Sequence, residues 1–294
     1  MGYLLLFIAA LASSVKGFAG KRSSLYVQRM PEIMLTNALR MLLCLLISSA
    51  IAVLTESRGL KAERSTMLCA LLYGAMLASN VAVWIMCARE SGYLLISVFS
   101  MMGMLVSLLC SSLFLNDSIR MIQLPGIVLL IGASVVMCRH RRGLDTKLTR
   151  RSLMLLIANT LAGGLCDFAQ KLFADMNAGD STAVYSFYCY MFAAAFLLCG
   201  YMSICRGNGR FQPSVIHSVF PFTCMMAVTQ FINTYARTQA GGLLPAAQFY
   251  PVYKGLETIL GVLMAAFMLR EKPDARALIG VSMAFAALLL IRLV

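Results

Sequence analysis

Ten apolar segments follow one another along the chain, and they limit what it can fold into. A helix needs about 20 apolar residues to cross the hydrocarbon core of a bilayer. The segments run approximately over residues 2–20, 33–54, 66–88, 92–115, 119–138, 153–173, 181–205, 215–236, 241–269 and 275–293. The connections between them are too short to hold a soluble domain. The pattern predicts an all-α polytopic membrane protein with ten transmembrane helices.

The composition supports a lipid environment. Only 13% of the residues are charged and 60% are hydrophobic, whereas soluble domains average about 25% charged residues. The formal net charge of +13 could indicate nucleic-acid binding, but Lys and Arg here punctuate apolar runs instead of forming a basic face. Basic loops of a membrane protein explain the charge better, so we expect no nucleic-acid partner.

Ten cysteines and two histidines are scattered along the chain. None of the cysteines forms a C-x-x-C pair, and most lie inside apolar runs. Neither a disulfide framework nor a metal site is expected. The first segment is similar to a signal-peptide core, but it has no convincing basic region before it, so we interpret it as a retained first helix.

An internal repeat divides the chain into two halves. At an offset of 154 residues, Asp117 meets Glu271 and Gly126 meets Gly280; at an offset of 150, Lys21 meets Lys171. We therefore expect one five-helix repeat over 1–138, a basic connecting loop over 139–151 and a second five-helix repeat over 152–294. Because five is odd, the second repeat must be inverted in the membrane. Inverted repeats are typical of secondary transporters, whose sites lie near the midplane between repeats.

Two end-of-span motifs repeat in the same order, LFLND then PG (Leu113–Asp117, Pro125–Gly126) and FMLRE then IG (Phe267–Glu271, Ile279–Gly280). The first helix of each half ends in a lysine, Lys21 or Lys171, and Arg40 lies in the second helix. In these features the chain resembles the drug/metabolite transporter (DMT) superfamily, in its ten-helix EamA-like branch, over essentially its whole length. The resemblance implies transport of amino acids, nucleotide sugars, amines or other small metabolites by alternating access.

Two indicators of orientation disagree. The odd-numbered connections hold most of the loop Lys and Arg, including the run from Arg139 to Arg151, whereas Arg237 is assigned to an even-numbered connection. Because cytoplasmic loops are enriched in these residues, the distribution favours termini outside. The family resemblance implies termini inside.

Charged residues inside the spans are the first candidates for a site, because each costs roughly 2.5–3.5 kcal/mol at a helix centre. Lys254 and Glu257 are three residues apart and share a helix face. They either bind the two ends of a zwitterion or neutralise each other, and Glu257 is the candidate for proton coupling. Arg40 either binds an acidic group or reaches toward a headgroup.

Lys16 and Asp167 are secondary candidates. Lys16 either pairs with Glu257 or Asp167 or is a lysine at a helix end. Asp167 and Lys171 are four residues apart, and a local ion pair between them is the favoured interpretation.

Uncharged polar residues extend the candidate binding set into spans three, eight and nine. Prolines in span nine are expected to kink or break it, as is tolerated where a helix lines a cavity. Asn80 either binds a neighbouring helix or a ligand, and Trp84 is either an interfacial anchor or a wall of the site. The full set of uncharged candidates is Asn80, Trp84, Gln230, Asn233, Gln248, Tyr250 and Tyr253.

These features predict a secondary active transporter of a small polar or zwitterionic metabolite, of amino acid or amine type, with a site lined by spans two, three, eight and nine. The alternatives are an exporter of cationic or hydrophobic drugs, a non-transporting scaffold and an intramembrane enzyme. No nucleotide, metal or cofactor motif is found, so no catalytic residue and no cofactor is expected. The expected partners are a small molecule and the lipid bilayer of a bacterial plasma membrane, and a homodimer is left open.

Overall fold

The computed structural model describes residues 1–55, 60–91, 93–114, 149–176, 180–205, 213–269 and 275–292, with residues 125–126, 128–129, 132–133 and 136 of the segment between them. Within these ranges the chain is almost entirely helical and has no strand. The predicted all-α class is therefore confirmed.

The helices follow the predicted segments closely. They are α1 (Gly2–Ser23), α2 (Met30–Thr55), α3 (Arg64–Glu90), α4 (Tyr93–Phe114), α5 (Arg150–Met176), α6 (Thr182–Cys205), α7 (Pro213–Leu243), α8 (Ala246–Phe267) and α9 (Ala275–Arg292). In the described part of the chain, α1 to α7 each hold a stretch long and apolar enough to cross a membrane. The fifth predicted span and the basic connection fall mostly outside that part, so the ten-helix layout stays a prediction.

One predicted boundary is wrong. The sequence placed Arg237 in a connection between spans eight and nine, but α7 continues to Leu243 and carries Arg237 within the helix. The chain breaks instead before Pro245, which begins α8 in an extended conformation. Pro251 lies inside α8 without ending it. Arg237 can lie inside a membrane helix because its charge is neutralised by a buried acidic side chain, described below.

The two halves of the chain pack mainly on each other. Helix α1 lies against α7 and α8, α2 against α6, α3 against α5 and α6, and α4 against α5 and α8. Small residues allow a close crossing between α4 and α5. A Cβ on Gly164 would stand 2.5 Å from the backbone oxygen of Gly103, which no real side chain permits. Such close backbone approach is typical of membrane helix pairs.

The paired lysines cap helices in equivalent ways. Lys21 on α1 donates to the carbonyl oxygens of Ala88 and Ser91 at the end of α3. Lys171 on α5 donates to those of Gly241 at 2.9 Å and Leu244 at 3.3 Å, at the end of α7. The last carbonyls of a helix have no partner within it and carry partial negative charge. Each lysine satisfies such carbonyls on another helix, which explains why both halves carry one.

Replacing Lys171 with Met should remove these donors while keeping the apolar stem. Since hydrogen bonds to charged groups contribute roughly 1.5–3 kcal/mol, we expect the free energy of unfolding to fall by about that amount. The midpoint of denaturation in detergent measures the loss. Lys61→Met, at an exposed position between α2 and α3, is the control; an equal loss in both variants would contradict the capping role.

Candidate functional site

A cavity of about 130 Å³ lies between the two halves of the chain. One water molecule needs roughly 10–15 Å³ of such volume, so the cavity has room for a small molecule. It is lined by α1, α2, α3, α4, α5, α7 and α8, which is a wider set than the four spans predicted. Its charged lining residues are Lys16, Arg40, Asp167, Arg237, Lys254 and Glu257. Several of them, such as Arg40 and Glu257, lie near the middle of their helices.

Asp167 is the centre of a buried ion-pair network. Its Oδ1 lies 2.7 Å from Nη2 of Arg237, and its Oδ2 lies 3.1 Å from Nζ of Lys254. All three side chains are at least nine-tenths buried. Arg237 also lies over the ring of Tyr253, 4.7 Å from its centroid. The carboxylate therefore joins α5 to both α7 and α8.

The favoured local pair between Asp167 and Lys171 is wrong. Lys171 lies 2.6 Å from Oδ1 of Asp175 and caps α7, while Asp167 points into the cavity. Lys171 thus forms its ion pair with Asp175, four residues further along the same helix, whereas the partners of Asp167 lie on α7 and α8. Tertiary contacts thus override the local spacing rule for Asp167, while Lys171 still follows it with another acid.

Removing the Asp167 charge should leave Arg237 and Lys254 short of a buried partner. Breaking a buried pair in this way costs about 3–5 kcal/mol, so Asp167→Asn should lower the free energy of unfolding by that order. The Asp167→Asn/Arg237→Gln double variant should lose less than the sum of the single losses. Denaturation midpoints of the four proteins in detergent test this, and strictly additive losses would contradict the network.

Glu257 links α8 to α1 across the halves. Its carboxylate accepts hydrogen bonds from Ser13 at 2.5 Å and from Tyr253 at 3.1 Å, and it lies 3.1 Å from Nζ of Lys254. Asn233 on α7 donates to the Tyr253 hydroxyl at 2.8 Å and to the Ala9 carbonyl at 2.7 Å. The predicted contact between Lys254 and Glu257 is present, as one link in a longer chain.

Arg40 is buried in the wall formed by α2 and α7. It is 4% exposed, so it does not reach toward a headgroup. Its Nη2 donates to Oε1 of Gln230 at 2.6 Å, and its Nη1 lies 4.0 Å from Sδ of Met226. Its Nε has no hydrogen-bond partner within the described residues.

Lys16 lines the same cavity from α1. Neither of the predicted pairings, with Glu257 or with Asp167, is present as an ion pair, and no other ion pair to Lys16 occurs in the described ranges. Arg40 and Glu257 lie near enough to Lys16 for Coulombic interaction.

Asn80 and Trp84 form the α3 wall of the cavity. Asn80 donates at 3.2 Å to both the carbonyl and the side-chain oxygen of Asn159 on α5, so it binds a neighbouring helix while facing the space. Trp84 packs edge-on against Tyr93 at 6.4 Å. A Cβ on Gly20 would lie 2.6 Å from the Trp84 ring, so this glycine leaves room for the indole.

Two of the predicted binding residues lie away from the cavity. Gln248 is exposed and accepts a hydrogen bond from Tyr3 at 2.9 Å. Tyr250 is buried beside Ser111 at 3.5 Å and does not line the space. The remaining candidates, Arg40, Asn80, Trp84, Gln230, Asn233, Tyr253, Lys254 and Glu257, all line it.

The structure adds lining residues that the sequence reasoning missed, chiefly Arg237, Ser13, Tyr73 and Asn159. A signal for Arg237 was present, because Gln230, Asn233 and Arg237 follow helical spacing on one face. Ending the span at residue 236 hid it. The other three are single polar residues in apolar helices and carry no pattern of their own.

A helical bundle that surrounds a charged cavity with residues from both halves has the architecture of a membrane transporter. Residues 1–139 match the model of the EamA-like transporter family. This match covers the first part of the chain, which is similar to that transporter family, and the chain is an integral membrane protein.

Comparison with solved structures supports the fold over the full chain. One crystal structure of a protein superposes on this chain with a TM-score of 0.69. The superposition covers 99% of this chain and 96% of the other. The two are 16% identical, so the likeness extends to the fold alone. No curated protein matches the sequence.

Proposed function

We propose that the protein is a secondary active transporter that moves a small polar metabolite by alternating access across a bacterial plasma membrane. The observation that carries this proposal is the cavity between the halves, lined by charged residues from the middle of several helices. Substrate sites of transporters built from repeats lie at such positions. Charged side chains at membrane depth are costly and mark substrate or ion pathways.

The pairing of helices supports two repeats that can move against each other. Exchanging α1, α2, α3 and α4 with α5, α6, α7 and α8, in that order, converts each main contact either into itself or into another that is also present. The α1–α7 contact becomes α5–α3, for example, and α1–α8 becomes α5–α4. The capping lysines obey the same exchange, since Lys21 links α1 to α3 and Lys171 links α5 to α7. We therefore propose that the whole chain forms two inverted five-helix repeats.

The charges of the cavity favour some substrates over others. Lys16, Arg40, Arg237 and Lys254 all face it, so a cationic drug or an amine would meet mostly repulsion. A zwitterion of amino acid type fits better, because its carboxylate finds cations in the wall. A site this polar also fits a large hydrophobic drug poorly.

A bulky side chain in the cavity should block transport. Ser97 lines the space from the start of α4, so Ser97→Trp should abolish uptake and counterflow in proteoliposomes tested with amino acids and other small polar metabolites. Ser79→Trp, at an exposed position of α3, is the matched control and should transport as the wild type does. Equal transport by both variants, each verified as folded by size-exclusion chromatography, would overturn the proposed site.

We propose Glu257 as the group that couples transport to a proton gradient. Its carboxylate faces the cavity and joins α8 to α1 through Ser13, so adding a proton would remove the negative charge and weaken the acceptor at a contact between the halves. The charged groups that act on it are Lys254 on α8, Lys16 on α1 and Arg237 on α7.

Glu257→Gln keeps the shape of the side chain and removes the titrating group. We expect loss of pH-driven uptake in proteoliposomes, while exchange of labelled for unlabelled substrate at equal pH continues. Asp175→Asn, an acid outside the cavity, should keep both activities. Unchanged pH-driven uptake by Glu257→Gln would exclude this role.

A further inference from the structure

The charges that line the cavity do not balance. Two acidic side chains, Asp167 and Glu257, face four basic ones, Lys16, Arg40, Arg237 and Lys254. Buried charges are normally paired, because removing an ion from water costs several kcal/mol. Two positive charges are therefore in excess within the described wall.

The two carboxylates are already occupied. Asp167 lies between Arg237 and Lys254, at 2.7 and 3.1 Å. Glu257 lies 3.1 Å from the same Lys254 and accepts hydrogen bonds from Ser13 and Tyr253. Arg237 and Lys254 thus have acidic partners, and the excess charge is on Lys16 and Arg40.

Arg40 keeps an unused donor although it is buried. It is 4% exposed, and its Nε has no hydrogen-bond partner among the residues that the structure describes. Its neighbours, Gln230 and Met226, are neutral, and no described Asp or Glu lies within ion-pair distance of it. A guanidinium with a free donor beside a cavity is suited to an oxyanion.

Lys16 adds a second cation to the same space. It lines the cavity, and Arg40 is close enough to repel it. A group with negative charge between the two would relieve this repulsion and would replace water that Arg40 loses on burial.

We propose that Lys16 and Arg40 bind an acidic group, a carboxylate or a phosphate ester, and that the substrate is a small organic anion with net negative charge. The inference rests on the proposed role of the cavity as the substrate site and defines its substrate class. A zwitterion satisfies the geometry less well, because its ammonium group would meet carboxylates that already have partners.

Four-carbon ligands of equal length separate the charge classes. Succinate carries two negative charges, 4-aminobutyrate is a zwitterion and putrescine carries two positive charges. Thermal unfolding of the full-length protein in detergent, at constant ionic strength, compares them, and glycerol 3-phosphate and glycerol test the phosphate ester. We expect succinate or glycerol 3-phosphate to raise the unfolding temperature, with no increase from putrescine or glycerol. Stabilisation by putrescine or 4-aminobutyrate alone, or by none of the anions, would overturn the proposal.

The variants Lys16→Met and Arg40→Gln locate the binding. Each should lower the affinity for the stabilising anion at least tenfold in a titration. Arg40→Lys should retain part of the affinity because it keeps the charge. Arg151→Gln, a basic residue with 72% of its side chain exposed, should bind as the wild type does. Full anion affinity in both cavity variants would place the anion elsewhere and overturn the proposal.

A further readout needs no ligand. Because Lys16 is repelled by Arg40, ligand-free Lys16→Met should unfold at a higher temperature than the wild type at low ionic strength, and salt should reduce the difference. A lower unfolding temperature would contradict the excess of positive charge.

The experiments give different results if the proposed substrate class is wrong and if the proposed transport function is wrong. Counterflow of a neutral or zwitterionic metabolite that Ser97→Trp blocks, without anion binding, would reject the anion and keep the transporter. Anion binding that depends on Lys16 and Arg40, without flux of that anion in proteoliposomes, would support the binding site and reject transport of the bound anion.

Discussion

The ion-pair network centred on Asp167 is the interaction on which the arrangement of this membrane protein depends. The Asp167 carboxylate on α5 neutralises Arg237 of α7 and Lys254 of α8, and Lys254 in turn contacts Glu257, which binds Ser13 of α1. Each of these charges alone would disfavour burial of its helix. Together they hold four helices around one polar space, so the network stabilises the bundle and positions the cavity at once.

The cavity exists because equivalent positions of the two halves carry different residues. At the offsets found in the sequence, Glu257 corresponds to Gly103 and Ser14 to Gly164. Where the glycines meet, α4 and α5 approach backbone to backbone. Where the acid stands, α8 contacts α1 through the side chain of Ser13 and a polar wall remains. The helices thus enclose a site that is asymmetric in charge.

Much of the fold could be predicted because each membrane-spanning helix can be recognised from its own apolar segment. Runs of apolar residues predicted the positions of the helices. The repeated Lys21 and Lys171 marked equivalent positions in the two halves, and the structure shows that each lysine caps the end of another helix. Arg237 escaped because a hydropathy pattern cannot tell a buried, paired charge from one in a loop. Gln248 and Tyr250 were included through nearness in sequence to Lys254, yet their positions on α8 turn them away from the space.

The sequence by itself determined that the chain is a helical membrane protein and that it resembles the drug/metabolite transporter superfamily, since both conclusions rest on run lengths and short motifs within single segments. Only the tertiary structure decided which charges neutralise one another. Ion pairs such as Asp167 with Arg237 join residues on different helices, and no local spacing rule selects among such partners. That selection is also what leaves Lys16 and Arg40 facing the cavity without an acid, because the two available carboxylates lie closer to other cations.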